Sequence, residues 1–165
     1  MKAETSKDKK PESRKVMIAT GNSRQSLKWK NVEMDYLDLV EKLKVTTRTR
    51  ETFQEYKKLP KSNRDEIKDV GGFVGGALKQ GRRKAENLAN RSLITLDLDS
   101  VNISTEELWD NIVMLNDFEI VMYSTHSHSP NSPRLRLIIP LDRNVLPDEY
   151  QAISRKLADD IGIDM

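Results

Sequence analysis

The chain stays polar for its first fifteen residues and then breaks into short apolar runs set between charged ones. Val16-Met17-Ile18-Ala19-Thr20, closed by Gly21-Asn22, has the length and the terminator of a strand. Residues 27–32 fit neither the helical nor the strand period. Met34, Leu37, Leu39, Val40 and Leu43 fall on one side of a helix over about 35–44. Thr49 is placed to cap a second helix that turns Phe53 and Tyr56 inward and stops before Pro60, and Ser62 to cap a short third one through Lys68. In Gly71-Gly72-Phe73-Val74-Gly75-Gly76, four glycines in six positions argue against a helix. Leu93-Ile94-Thr95-Leu96-Asp97-Leu98-Asp99 predicts a strand. Ser104 or Thr105 opens an amphipathic helix carrying Leu108, Ile112 and Leu115, with Glu106 and Glu107 in the first turn, where the helix dipole favours acids. A strand over 119–123, a polar loop over 124–133, a strand over 135–141 and a helix from about Pro147, with Tyr150, Ile153 and Leu157 on one side, complete the pattern before a final coil over 161–165.

The second half therefore runs strand–helix–strand–loop–strand–helix, which predicts an α+β fold: a split βαβ sheet with helices on one face. Its 165 residues suffice for one domain, over about 16–165, behind a basic tail at 1–15 that is expected to be disordered. The absence of cysteine excludes disulfides, thiolate-held metals and thiol catalysis. No run approaches a membrane span and no apolar leader opens the chain, so a cytoplasmic location without membrane contact is expected.

The net charge of +2 conceals an asymmetry. Residues 1–92 carry 23 Lys and Arg against 13 Asp and Glu, a net of +10, whereas residues 93–165 carry 5 against 13, a net of −8. A basic first part (16–92, after the tail) suits a polyanion, and an acidic second part (93–165) suits metal ions. Lys79, Arg82, Arg83 and Lys84, beside the glycine-rich stretch, are the candidate nucleic-acid contacts; the plain alternative is an exposed basic loop.

Asp97 and Asp99 close an apolar strand. Side chains at i and i+2 share a face, so both carboxylates project together while Leu98 points into the core. Like charges this close repel unless a cation joins them, and a hard ion such as Mg²⁺ or Mn²⁺ suits oxygen donors. The alternative is a strand end running into an Asx turn. The chain's two histidines, His126 and His128, share one loop, and Arg134 and Arg136 follow it as a second i, i+2 pair able to grip phosphate. That loop is open to a metal-binding hairpin, to a plain polar loop, and to the His-hydrophobic-His element of rolling-circle nucleases. For the last, Ser127 is polar where an apolar centre belongs, and Tyr150 is the only nucleophile candidate.

Together, the Asp97-Leu98-Asp99 strand, a helix, Ser124-Thr125-His126 and Pro133-Arg134-Leu135-Arg136-Leu137-Ile138-Ile139-Pro140-Leu141 resemble the primase–polymerase (prim-pol) domain of the archaeo-eukaryotic primase superfamily. They look most like versions at the N-terminus of primase–helicase proteins of phages and mobile elements of Gram-positive bacteria, and the resemblance spans roughly 16–165. It implies an RRM-like, prim-pol-type sheet containing antiparallel strands, and a bacterial host cytoplasm. It implies a DNA primase–polymerase whose Asp97 and Asp99 hold Mg²⁺ or Mn²⁺ and whose Ser124, His126, His128, Arg134 and Arg136 bind the incoming nucleoside triphosphate, with DNA template and a helicase domain or protein as partners. In a second register the nucleotide-gripping residue is Arg134 or Arg136. A third, later aspartate strand has no match. Asp159, Asp160 and Asp164 are available, and the chain is expected to be a prim-pol domain cut short. A catalytically incomplete module that binds nucleic acid, nucleotide or a host protein is the alternative.

Overall fold

The computed structural model describes residues 14–99, 101, 103–115 and 118–163. Most of the expected tail, Asp164 and the Leu115 side chain lie outside the described residues. The first part forms β1 (Lys15–Gly21), β2 (Lys30–Asp35), α1 (Tyr36–Lys44), α2 (Phe53–Lys58), α3 (Lys61–Ile67) and β3 (Gly72–Val74). The second forms β4 (Arg91–Leu98), α4 (Thr105–Leu115), β5 (Val121–Ser124), β6 (Leu135–Val145) and α5 (Pro147–Asp160). The fold is α+β, and β4-α4-β5 is the expected split unit. The sheet order is β4-β6-β5, with β6 antiparallel to both neighbours, so β4 and β5 run parallel with β6 between them.

The strands of the first part lie outside this split unit. β2-β1-β3 forms a separate three-stranded antiparallel sheet. The two sheets meet at buried Ser92, whose Oγ accepts from Met17 N at 3.1 Å and donates to Met17 O at 2.5 Å. One face of the second sheet buries Ile94, Leu96, Leu98, Leu135, Leu137 and Ile139 with Leu108 and Ile112 of α4, and Tyr150, Ile153 and Leu157 of α5 pack onto this core. On the other face, Leu93 and Ile138 join Val16, Ile18, Tyr36 and Leu39. Helices thus cover one face, and β1 with α1 covers part of the other.

Local chemistry explains the remaining differences. Arg14 and Lys15, assigned to the tail, belong to the fold: Lys15 opens β1 and Arg14 pairs with Asp142 at 3.1 Å. Thr52, not Thr49, caps α2 through a reciprocal capping box with Glu55, Thr52 Oγ accepting from Glu55 N and Glu55 Oε2 from Thr52 N. Phe53 is not turned inward but is 39% exposed, whereas Tyr56 is buried. Pro60, not Ser62, precedes α3, its fixed φ suiting a helix start. Ser104 is the cap of α4, its Oγ accepting from Glu107 N at 3.1 Å. β6 runs beyond the expected 141 to Val145, and its register slips beside Pro140, which has no N–H to give to the ladder.

Candidate functional site

Strand alternation builds the site. On β4, Ile94, Leu96 and Leu98 are buried, which turns Asp97 and Asp99 to the opposite face as the sequence predicts. That face is apolar at Leu93 and Ile138, where β1 and α1 cover it, and becomes charged beyond them. There the antiparallel register sets Asp97 opposite Arg136, and Arg136 opposite Tyr123 of β5. Arg136 Nε donates to Asp97 Oδ1 at 2.5 Å, and Arg134 pairs with Asp99 Oδ2 at 2.9 Å. The carboxylate side chains are 59% and 61% exposed, the arginines 36% each. Burial works against the charge on Arg136, but the hydrogen bond and charge of Asp97, with Tyr123 beside them, outweigh it and raise the guanidinium pKa.

The loop after β5 is held from two sides. His126 Nε2 lies 3.1 Å from Thr49 Oγ1, and its ring centroid is 4.4 Å from that of Tyr56. Tyr56 OH also meets Ser127 Oγ at 3.2 Å. His126 Nδ1 is buried without a hydrogen-bond partner. His128 turns back into its own loop, its Nδ1 accepting from Arg134 N at 3.2 Å. That nitrogen is therefore engaged within the loop. Ser124, at the end of β5, is exposed.

Asp97, Asp99, His126, Arg134 and Arg136 line one cleft of about 530 Å³, which Ser124 and His128 do not line. The cleft is also lined by residues the sequence reasoning missed: Lys57, Lys61, Arg64 and Lys68 of the α2–α3 segment. Lys61, Arg64 and Lys68 share a helical spacing of three and four, but Lys57 belongs to α2, which Leu59 and Pro60 separate from α3, so no periodicity joined the four. A second cleft of about 430 Å³ shares Asp97 and Arg136 with the first and is lined by Phe73, Arg83, Lys84, Arg91 and Tyr150 among others. Of the four basic candidates, Arg83 and Lys84 line it and Lys79 and Arg82 do not. Arg83 also lies over the Trp29 ring, 5.3 Å from its centroid. Burial lowers the pKa of Arg91, partly opposed by Tyr150, over whose ring it sits at 4.5 Å.

The glycine-rich stretch serves packing. A Cβ on Gly76 would stand 1.9 Å from Asn90 O, and Gly75 O accepts from Ser92 N and Leu93 N. The exposed carboxylate pair has the hard oxygen donors that suit one divalent ion, with water completing its shell. Among the described residues no third histidine or acidic group joins it. Asp159 and Asp160 lie on α5 away from the cleft, and Asp160 pairs with Lys156.

The chain matches the family described as the VapE N-terminal domain over residues 1–165. No curated protein and no solved structure matches it. With its split βαβ sheet and the cleft on that sheet's open face, the chain belongs to the VapE N-terminal domains, a family of phage and mobile-element proteins related to primase–helicase proteins.

Proposed function

We propose that this domain acts in DNA replication of a phage or mobile element as a primase–polymerase-type nucleotidyltransferase module, working with a helicase domain or protein. The observation that carries the reading is the convergence of Asp97, Asp99, His126, Arg134 and Arg136, from three separate segments, on one cleft. In this reading a nucleoside triphosphate enters that cleft, and a DNA strand follows the neighbouring one past Arg83 and Lys84. Arg134 and Arg136 present planar donor forks for phosphate oxygens, and His126 lines the same cleft. Asp97 and Asp99 would hold Mg²⁺ or Mn²⁺, which, when bound, would neutralise phosphate charge and activate a 3′-hydroxyl.

A second reading, a nucleotide- or nucleic-acid-binding module without turnover, is favoured by one observation: each carboxylate already has a guanidinium partner. Primer extension with labelled dNTPs and Mn²⁺, run beside binding of dATP and single-stranded DNA, separates the two. Extension lost in Asp97→Ala supports the transferase. Binding without extension supports the module. Absence of both binding and extension overturns both readings.

A further inference from the structure

We infer that Lys57, Lys61 and Arg64 form a polyphosphate seat in the cleft that the two carboxylates also line, and that its ligand is the triphosphate tail of a nucleotide. The inference rests on the proposal that this cleft receives a nucleotide. It moves the main phosphate grip away from the arginines of β6. Those arginines are committed, Arg134 to Asp99 and Arg136 to Asp97. Lys68 is committed to Asp65 at 2.7 Å. Lys57, Lys61 and Arg64 line the same cleft, and among the described residues none of them forms an ion pair with a carboxylate. Arg64 Nε is buried with no hydrogen-bond partner. A buried guanidinium N–H is costly to leave without an acceptor, and a phosphate oxygen is the acceptor a guanidinium fork fits best. The seat is also held in place. Tyr56, one residue before Lys57, is buried against His126 and meets Ser127 Oγ, so α2 is pinned to the histidine loop. Several cations lining a cleft of about 530 Å³ suit a chain of phosphates rather than a single one.

The test uses calorimetric titration of the wild-type chain, the K57Q/K61Q double variant and Arg64→Gln with metal-free inorganic tripolyphosphate, dATP and a single-stranded DNA oligonucleotide. Each lost charge-assisted contact is expected to weaken tripolyphosphate and dATP about tenfold or more, with DNA affinity changed less than twofold. Lys57 and Lys61 are exposed, so the double variant is expected to melt like the wild type, which keeps the test valid should Arg64→Gln misfold. Wild type that binds dATP, with variants that bind it equally well, overturns the seat and leaves the nucleotide cleft standing. Loss of DNA binding with dATP intact assigns these cations to the strand and likewise overturns the seat. Wild type that binds neither dATP nor tripolyphosphate overturns both the seat and the nucleotide cleft.

Discussion

Arg136 and Asp97 stand directly opposite each other on β6 and β4, and the guanidinium Nε donates to the carboxylate across 2.5 Å. One step further along the same face, Arg134 and Asp99 repeat the arrangement at 2.9 Å. The two acids therefore do not face each other as an unshielded pair. Their charge is balanced across the strand, which lets them share one exposed face without a bound ion. Any cation or phosphate entering the cleft competes with these pairs, so the carboxylates and arginines are coupled in whatever they bind.

Asp97→Asn tests that coupling. The change frees the Arg136 guanidinium, so metal-free dATP and tripolyphosphate are expected to bind more tightly than to wild type, by a few-fold. Any Mn²⁺-dependent extension is expected to disappear. Because the pair is exposed, its loss should lower stability by no more than about 1 kcal/mol. Titration calorimetry, primer extension and urea denaturation read the three effects. Weaker metal-free binding would show that Asp97 does not restrain Arg136.

The two neighbouring arginines of the basic loop are expected to differ. Arg83 lines the cleft beside Asp97 and Arg136, and Arg82 does not. Arg83→Ala should weaken single-stranded DNA and reduce the slope of log K against log salt by about 0.7, the value for one phosphate contact on a single strand. Arg82→Ala should leave both unchanged. Equal effects would make the loop a diffuse basic surface, and unaltered affinity in the double variant at low salt would remove it from the interface.

Gly76→Ala forces a Cβ to 1.9 Å from the Asn90 carbonyl, which is backbone and has little room to yield. A loss of about 3 kcal/mol or more is expected, at the upper end of overpacking effects. Chemical denaturation measures it. Gly72→Ala meets nothing within 4 Å and serves as the control, expected to be near neutral. Equal stability of the two variants would mean that the approach of the glycine stretch to β4 is not tight.

Tyr36 gives the fold an alkaline limit. Its hydroxyl is buried without a partner, and burial, reinforced by the charge of Glu119, pushes its pKa from 10.0 up to about 12. The folded state thus holds the neutral phenol while the unfolded chain ionises first. This stability contribution is complete below pH 10 and is lost as pH rises towards 12, for a total of roughly 3 kcal/mol at about 1.4 kcal/mol per unit. Tyr36→Phe should remove that part of the decline and be neutral or stabilising at pH 7, since no hydrogen bond is lost. Denaturation midpoints of both proteins from pH 8 to 12 decide it, and parallel curves would rule out the assignment.

What the sequence determined by itself follows from short periods. A strand repeats every two residues, so burying Ile94, Leu96 and Leu98 left Asp97 and Asp99 no choice but the outer face, and the same rule put Arg134 and Arg136 together. The order of elements likewise carried the split βαβ unit. What only the tertiary structure decided involves partners far apart in the chain. Nothing local sets the register of β6 against β4, and that register is what marries Arg136 to Asp97 across 39 positions. Thr49 looked like a helix cap and instead holds His126, 77 residues away, because the capping box of Thr52 and Glu55 starts α2 three residues later and leaves its hydroxyl free. Lys57, Lys61 and Arg64 carried no signal of a site in the sequence. They became a wall of the cleft only when Tyr56 docked on the histidine loop, a contact set by the packing of buried surface that no periodicity in the chain encodes.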